Sequence, residues 1–270
     1  MDPITLAFVV TLCAGLATGI GSLLAFTATR TNKKFLSLAL GFSAGVMLYV
    51  SFVEILQKSI DSLSEASGSF ETGYLYATLG FFGGILVIAL IDKLIDHDHG
   101  NPHEIHSVRE MDDPDLKEKN VLLRMGLFTA LAIAIHNFPE GLATFIATYE
   151  EPAVGIAIAI AIAIHNIPEG IAVSIPIYHA TGSRLKAFWY SFASGLAEPI
   201  GAIIGFFILL QFFNDFIFGL IFAGVAGIMV FISLDQLLPT AQRYGYHHLS
   251  IYGLIAGMLV MASSLLLFLV

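Results

Sequence analysis

A six-residue pattern, identical at five positions, occurs twice in this chain: His136-Asn137-Phe138-Pro139-Glu140-Gly141 and His165-Asn166-Ile167-Pro168-Glu169-Gly170. The match extends outward to Ala134–Ala143 and Ala163–Ala172. Imidazole nitrogen, amide oxygen and carboxylate oxygen together make a ligand set for a divalent metal. On a helix, residues three and four apart share a face, so His136, Asn137 and Glu140 project together, as do His165, Asn166 and Glu169. Both copies sit in apolar surroundings, where such groups are costly and mark functional sites. Pro139 and Pro168 lack an N–H, which frees the carbonyls of Ile135 and Ile164 from helical pairing. At membrane depth a freed carbonyl persists only where protein, water or an ion satisfies it. The alternative is a kinked, packed helix with a buried polar network. The doubling, and the absence of a nearby Lys or Arg for the carboxylates, weigh against it.

The elements that must position these residues are membrane spans. The chain has 270 residues, of which 57% are hydrophobic and 12% charged, against about 25% charged in soluble domains. Eight apolar runs are long enough to cross a bilayer: Ile4–Thr29, Phe35–Gln57, Gly73–Ile95, Val121–Thr148, Val154–His179, Leu185–Leu210, Phe213–Leu234 and Ser250–Val270. The predicted fold is therefore an all-α polytopic membrane protein forming one transmembrane domain over 1–270. The first span lacks a basic leader and is expected to be permanent rather than cleaved. Eleven of the twelve Lys and Arg fall in odd-numbered connections or beside them, and only Lys58 falls elsewhere. The positive-inside rule makes that side cytoplasmic and places both termini outside. A net charge of −9 argues against nucleic acid and against an anionic-lipid anchor. A single Cys, Cys13, excludes a disulfide framework and a thiolate cluster.

The one long connection, about 96–120, carries His97, Asp98, His99, His103, Glu104 and His106. It reads as a loosely ordered cytoplasmic loop, open to weak metal binding or to no role beyond solvation. His179, His247 and His248 fall at span ends and read as interfacial. Intramembrane acids beyond the doubled motif are Glu54, Glu198 and Asp235. Glu54 and Asp235 lie near expected span ends, where capping or snorkelling competes with a pathway role. Glu198 is deeper and precedes Pro199. With no buried cation of the protein's own expected among these acids, protons or a bound cation must balance them. External acids Asp61, Glu65, Glu71, Glu150, Glu151 and Asp215 either concentrate cations at the mouth or simply solubilise loops.

Distant spans repeat each other. Gly15–Gly21 resembles Gly195–Gly201 at an offset of 180, and Ala44–Met47 resembles Ala226–Met229 at an offset of 182, which also sets Ser51 on Ser233. Spans 1–3 then pair with spans 6–8, and span 4 with span 5. Under the topology above each pair runs in opposite directions. That is an inverted repeat in a 3+2+3 arrangement, with a substrate site expected near the midplane axis.

On the paired His-Asn-x-Pro-Glu-Gly motifs, the eight spans, the outside termini and the His-bearing loop, the chain resembles the ZIP metal permeases over essentially its whole length. Within them it resembles the bacterial broad-range zinc-uptake branch. The resemblance implies a two-metal site in spans 4 and 5. His136, Glu140, His165 and Glu169 would form the first position. Asn137, Glu140, Asn166, Glu169 and Glu198 would form the second, with the two motif glutamates bridging. The Glu198 assignment rests on Gly195-Leu196-Ala197-Glu198. The resemblance further implies zinc, iron, manganese, cadmium or cobalt as transported substrate rather than cofactor, a homodimer, and the bacterial inner membrane. The expected function is divalent-metal uptake into the cytoplasm by a non-enzyme. The rival readings are an intramembrane metal-dependent hydrolase, whose usual His-Glu-x-x-His helix is absent, and a cation or proton channel.

Overall fold

The computed structural model describes residues 1–27, 32–99, 114–209, 214–243 and 245–267. Among them all regular structure is helical, and eight helices are long and apolar enough to cross a membrane. They are α1 (Pro3–Thr27), α2 (Lys33–Ser67), α3 (Phe70–His99), α4 (Pro114–Glu150), α5 (Pro152–Thr181), α6 (Arg184–Phe207), α7 (Asp215–Gln242) and α8 (His247–Leu267). The protein is thus an all-α polytopic membrane protein. Helix starts carry local caps: the side chains of Asn32, Ser183 and Asn214 accept from the amides of Phe35, Lys186 and Ile217. Gly68 and Gly182, both at φ 69°, end α2 and α5 in the left-handed conformation that glycine adopts most readily.

The spans differ from the sequence expectation where polar residues interrupt an apolar run. α2 continues to Ser67 rather than stopping near Gln57, and α7 continues to Gln242 rather than Leu234. Both pass through one wide, π-helical turn, Ser51–Ile55 in α2 and Ser233–Leu237 in α7. The reason lies in the buried stripe. Met47, Ser51, Ile55 and Ser59 are buried at steps of four, as are Met229, Ser233, Leu237 and Ala241. A 3.6-residue period carries such a stripe around the helix, and a wider turn takes up part of that drift. In each helix the serine hydroxyl donates back to a methionine carbonyl, Ser51 to Met47 at 2.6 Å and Ser233 to Met229 at 2.8 Å. Helix also occupies both ends of the expected 96–120 loop, to His99 on one side and from Pro114 on the other. His103, Glu104 and His106 lie outside the described residues.

Packing is pairwise and close. α1 lies along α5 and α6 along α4, while α2 lies along α8 and α7 along α3. Small residues set the approach, as is usual between helices in lipid. A Cβ at Gly170 would fall on the Thr18 carbonyl of α1, and one at Gly141 on the Glu198 carbonyl of α6. α4 and α5 occupy the centre of the bundle, whereas α3 and α8 expose apolar side chains such as Leu79, Phe82, Leu86, Tyr252 and Leu259.

Candidate metal centre

α4 and α5 remain helical through Pro139 and Pro168, so the motif residues keep their common faces. Neighbouring helices bond the α5 copy after its proline: Ser43 of α2 donates to the Pro168 carbonyl at 2.8 Å, and Ser191 of α6 to the Gly170 carbonyl at 3.1 Å. Ser22 of α1 completes the chain with a 2.7 Å bond to Ser191. The faces of α4 and α5 are turned toward each other, and every motif ligand candidate is buried.

The two copies pair crosswise. His136 Nε2 lies 2.7 Å from Glu169 Oε1, and His165 Nε2 lies 3.4 Å from Glu140 Oε2. Glu169 Oε1 is also 3.9 Å from His165 Nε2, so it stands between both imidazoles. The two asparagines sit beside this network in matching ways. Asn137 Nδ2 donates to the Ser194 carbonyl at 3.4 Å, and Asn166 Nδ2 to the Ala14 carbonyl at 2.9 Å. Asn166 Nδ2 also donates to Glu198 Oε2 at 2.8 Å, which brings Glu198 of α6 to the α5 face. All seven sequence-predicted ligands thus fall in one buried region: four in the His–Glu network, Asn166 and Glu198 joined to each other, and Asn137 tied to α6.

Among the described residues, no three or more His, Cys, Asp or Glu side chains converge tightly enough to hold an ion as they stand. The cause is geometric. Each imidazole Nε2 is turned onto a carboxylate oxygen, so these groups satisfy one another instead of aiming at a common point. Among the described residues, Glu169 Oε2, Glu198 Oε1, Asn137 Oδ1 and Asn166 Oδ1 are buried oxygens with no hydrogen-bond partner. Buried acceptors are normally satisfied. Here the amide nitrogens are tethered to backbone while the amide oxygens are left over, which is the orientation a hard or borderline cation requires.

The other candidates separate from the centre. Asp235 is exposed and accepts from Gln236 at 2.8 Å. His179 is buried at the end of α5, with Nδ1 2.9 Å from the Ile175 carbonyl of its own helix. His247 and His248 are exposed and pack on each other. Asp61, Glu65, Glu71, Glu151 and Asp215 are exposed near helix ends. The sequence did not predict the surroundings of two further residues, Thr18 and Lys58. Thr18 is fully buried with an unpartnered hydroxyl at the position of α1 that corresponds to Glu198. The Gly15–Gly21 repeat already carried that correspondence. Lys58 pairs with Glu54 at 2.8 Å, the i,i+4 spacing being its signal, and both line a cavity of about 130 Å³ with Glu140 and His165.

Comparison with known proteins matches the chain to a family described as ZIP Zinc transporter, over residues 2–121 and 96–264. A "Zinc transporter ZupT" of Chlorobaculum parvum is 62% identical over 268 residues, 99% of either chain. A protein of the same name from Streptococcus mutans is 61% identical over 97% of either chain. Another from Clostridium perfringens is 57% identical over 99% of this chain and 98% of its own.

Proposed function

This chain belongs to the ZIP zinc transporter family and moves divalent metal ions across a membrane; from that membership we propose that it carries zinc into the cytoplasm through a centre on α4 and α5. Iron, manganese, cadmium and cobalt are the further expected substrates. The observation that carries this reading is the crosswise His–Glu network with four unpartnered buried oxygens around it. Ligand by ligand, His136, Glu140, His165 and Glu169 would take one ion. Asn137, Asn166 and Glu198 would take a second together with the same two glutamates, which would bridge. Exchange of hydrogen bonds for metal bonds leaves no buried carboxylate uncompensated, so the ion supplies the charge balance that the protein's own cations do not.

The proposal extends to architecture. Spans α1–α3 and α6–α8 would form inverted halves around the α4–α5 pair, giving alternating access to a site near the midplane. Support comes from reciprocal packing, α1 on α5 against α6 on α4, and from the wide turns at matching positions of α2 and α7. Both termini outside, a bacterial inner membrane and a homodimer complete the reading. The test is zinc uptake by purified protein in proteoliposomes, with competition by iron, manganese and cadmium. Saturable uptake inhibited by these ions is expected. A metal-insensitive current, or metal-dependent hydrolysis without uptake, would overturn it.

A further inference from the structure

Resting on the proposed passage of metal through the α4–α5 centre, we infer that Glu54 and Lys58 form a separate, charge-compensated cation station at the mouth of the cavity above that centre. Glu54 takes the arriving divalent ion, and Lys58 is the tethered cation that it must displace.

The geometry has four parts. Glu54 Oε1 holds Lys58 Nζ at 2.8 Å, while Glu54 Oε2 is buried and has no hydrogen-bond partner among the described residues. Both side chains line the same cavity of about 130 Å³ as Glu140 and His165, so one continuous space joins the pair to the metal centre. That space has room for only a few waters at about 30 Å³ each. An ion crossing it exchanges part of its hydration for protein oxygens, and the Glu54 carboxylate is one of those lining the way. Third, the partners are unequally held: the Lys58 side chain is 44% exposed and that of Glu54 15%. The ammonium rides on a flexible stem and withdraws to water easily, whereas the carboxylate stays in place. Fourth, Glu54 lies on the wide turn Ser51–Ile55, a feature frequent at functional sites. The matching turn of α7 carries Asp235 and Gln236 without a basic partner four residues on, since Pro239 and Thr240 stand there. The station is therefore built on one side only.

Lys58 sets how tightly the mouth holds its ion. With Lys58 present, a divalent cation gains Glu54 only by replacing a monovalent one already there, so binding is weak enough for onward transfer. Without it, Glu54 and the Glu140 at the floor of the cavity face the ion unopposed.

Zinc uptake kinetics in proteoliposomes test this on three variants and the wild type. Glu54→Gln is expected to raise KM roughly tenfold with kcat within about twofold, and Glu54→Asp to restore most of the affinity. Lys58→Met is expected to lower both KM and kcat, because the ion is then held too long. Equal proportional losses of kcat in Glu54→Gln and Lys58→Met, with KM unmoved, would show a purely structural ion pair and overturn the inference. If Glu54→Gln does not yield monodisperse protein, Lys58→Met alone decides: an unchanged KM overturns, a lowered KM supports. Failure of the wild type to accumulate zinc would instead sink the transport reading itself, which keeps the two failures apart.

Discussion

A carboxylate buried without partners costs several kcal/mol, and the three that this molecule buries in one region, Glu140, Glu169 and Glu198, each have one: His165, His136 and Asn166. Glu140 and Glu169 each face an imidazole of the opposite helix, so each supplies both charge and a possible bridge. Glu140→Ala and Glu169→Ala are accordingly expected to reduce transport to background while the protein still inserts, as read by uptake alongside membrane abundance. His165→Ala is expected to harm zinc more than manganese, since borderline ions favour imidazole and harder ones lean on oxygen. Equal loss for the two metals would remove that distinction. A pH dependence follows from the same atoms. In the proposed site, the proton of the His136 Nε2–Glu169 Oε1 hydrogen bond stands where a metal bond would form. Ligand nitrogens and oxygens bind metal only when deprotonated, so metal entering releases protons and acid competes with it. Binding of cadmium to purified protein is expected to weaken steadily from neutral to mildly acidic pH, with protons released into weak buffer. Affinity that is flat across that range would show the ligands to be already free of protons.

Helix contacts bring these residues into one region. Gly141 is the last residue of its motif copy, and a Cβ there would fall on the Glu198 carbonyl, so α4 and α6 meet only because the side chain is absent. Gly141→Ala is expected to cost about 1–3 kcal/mol through overpacking and to displace Glu198 from Asn166. At Gly83 a Cβ meets nothing within 4 Å, and Gly83→Ala is expected to be neutral or to stabilise the helix by about 0.5–1 kcal/mol. Thermal unfolding in detergent compares the two; a Gly141→Ala variant as stable as Gly83→Ala would mean that close approach at Gly141 does not govern. The doubled motif was legible because imidazole, amide and carboxylate stand out within apolar runs and recur in the same order. The lower parts of α2 and α7 were not, for a physical reason. Hydropathy falls at Glu54, Gln57 and Lys58, and again at Asp235 and Gln236, but the backbone ladder does not need apolar side chains and continues to Ser67 and Gln242. Glu54 therefore reads from sequence as a span-end residue, although it lies mid-helix beside the cavity. The crosswise pairing was equally hidden, since spacing along one helix says which residues share a face but not which residue they meet on the next.

Across the whole molecule, the inverted arrangement proposed above gives each residue around the mouth cavity a counterpart on the opposite side. Residues Ala143, Ala147, Ile158 and Phe218 line the cavity and are half-buried. Their counterparts at the same offsets, Ala172, Pro176, Thr129 and Leu36, are buried. The two sides share a sequence pattern yet differ in access. If the halves exchange conformations during transport, the buried set must become as accessible as the open set now is, and the reverse, because an ion can pass a fixed midplane site only when the two sides open in turn. Cysteine accessibility reads this directly. In a Cys13→Ser background, Ala147→Cys is expected to react with a membrane-impermeant thiol reagent without metal. Thr129→Cys is expected to react slowly at rest and several-fold faster during zinc turnover, as its side chain alternates between packed and open states. Labelling of Ala147→Cys is expected to slow under the same turnover. Rates at both positions that ignore zinc would mean that the ion crosses without the two sides exchanging, and the alternating-access reading would give way to a channel.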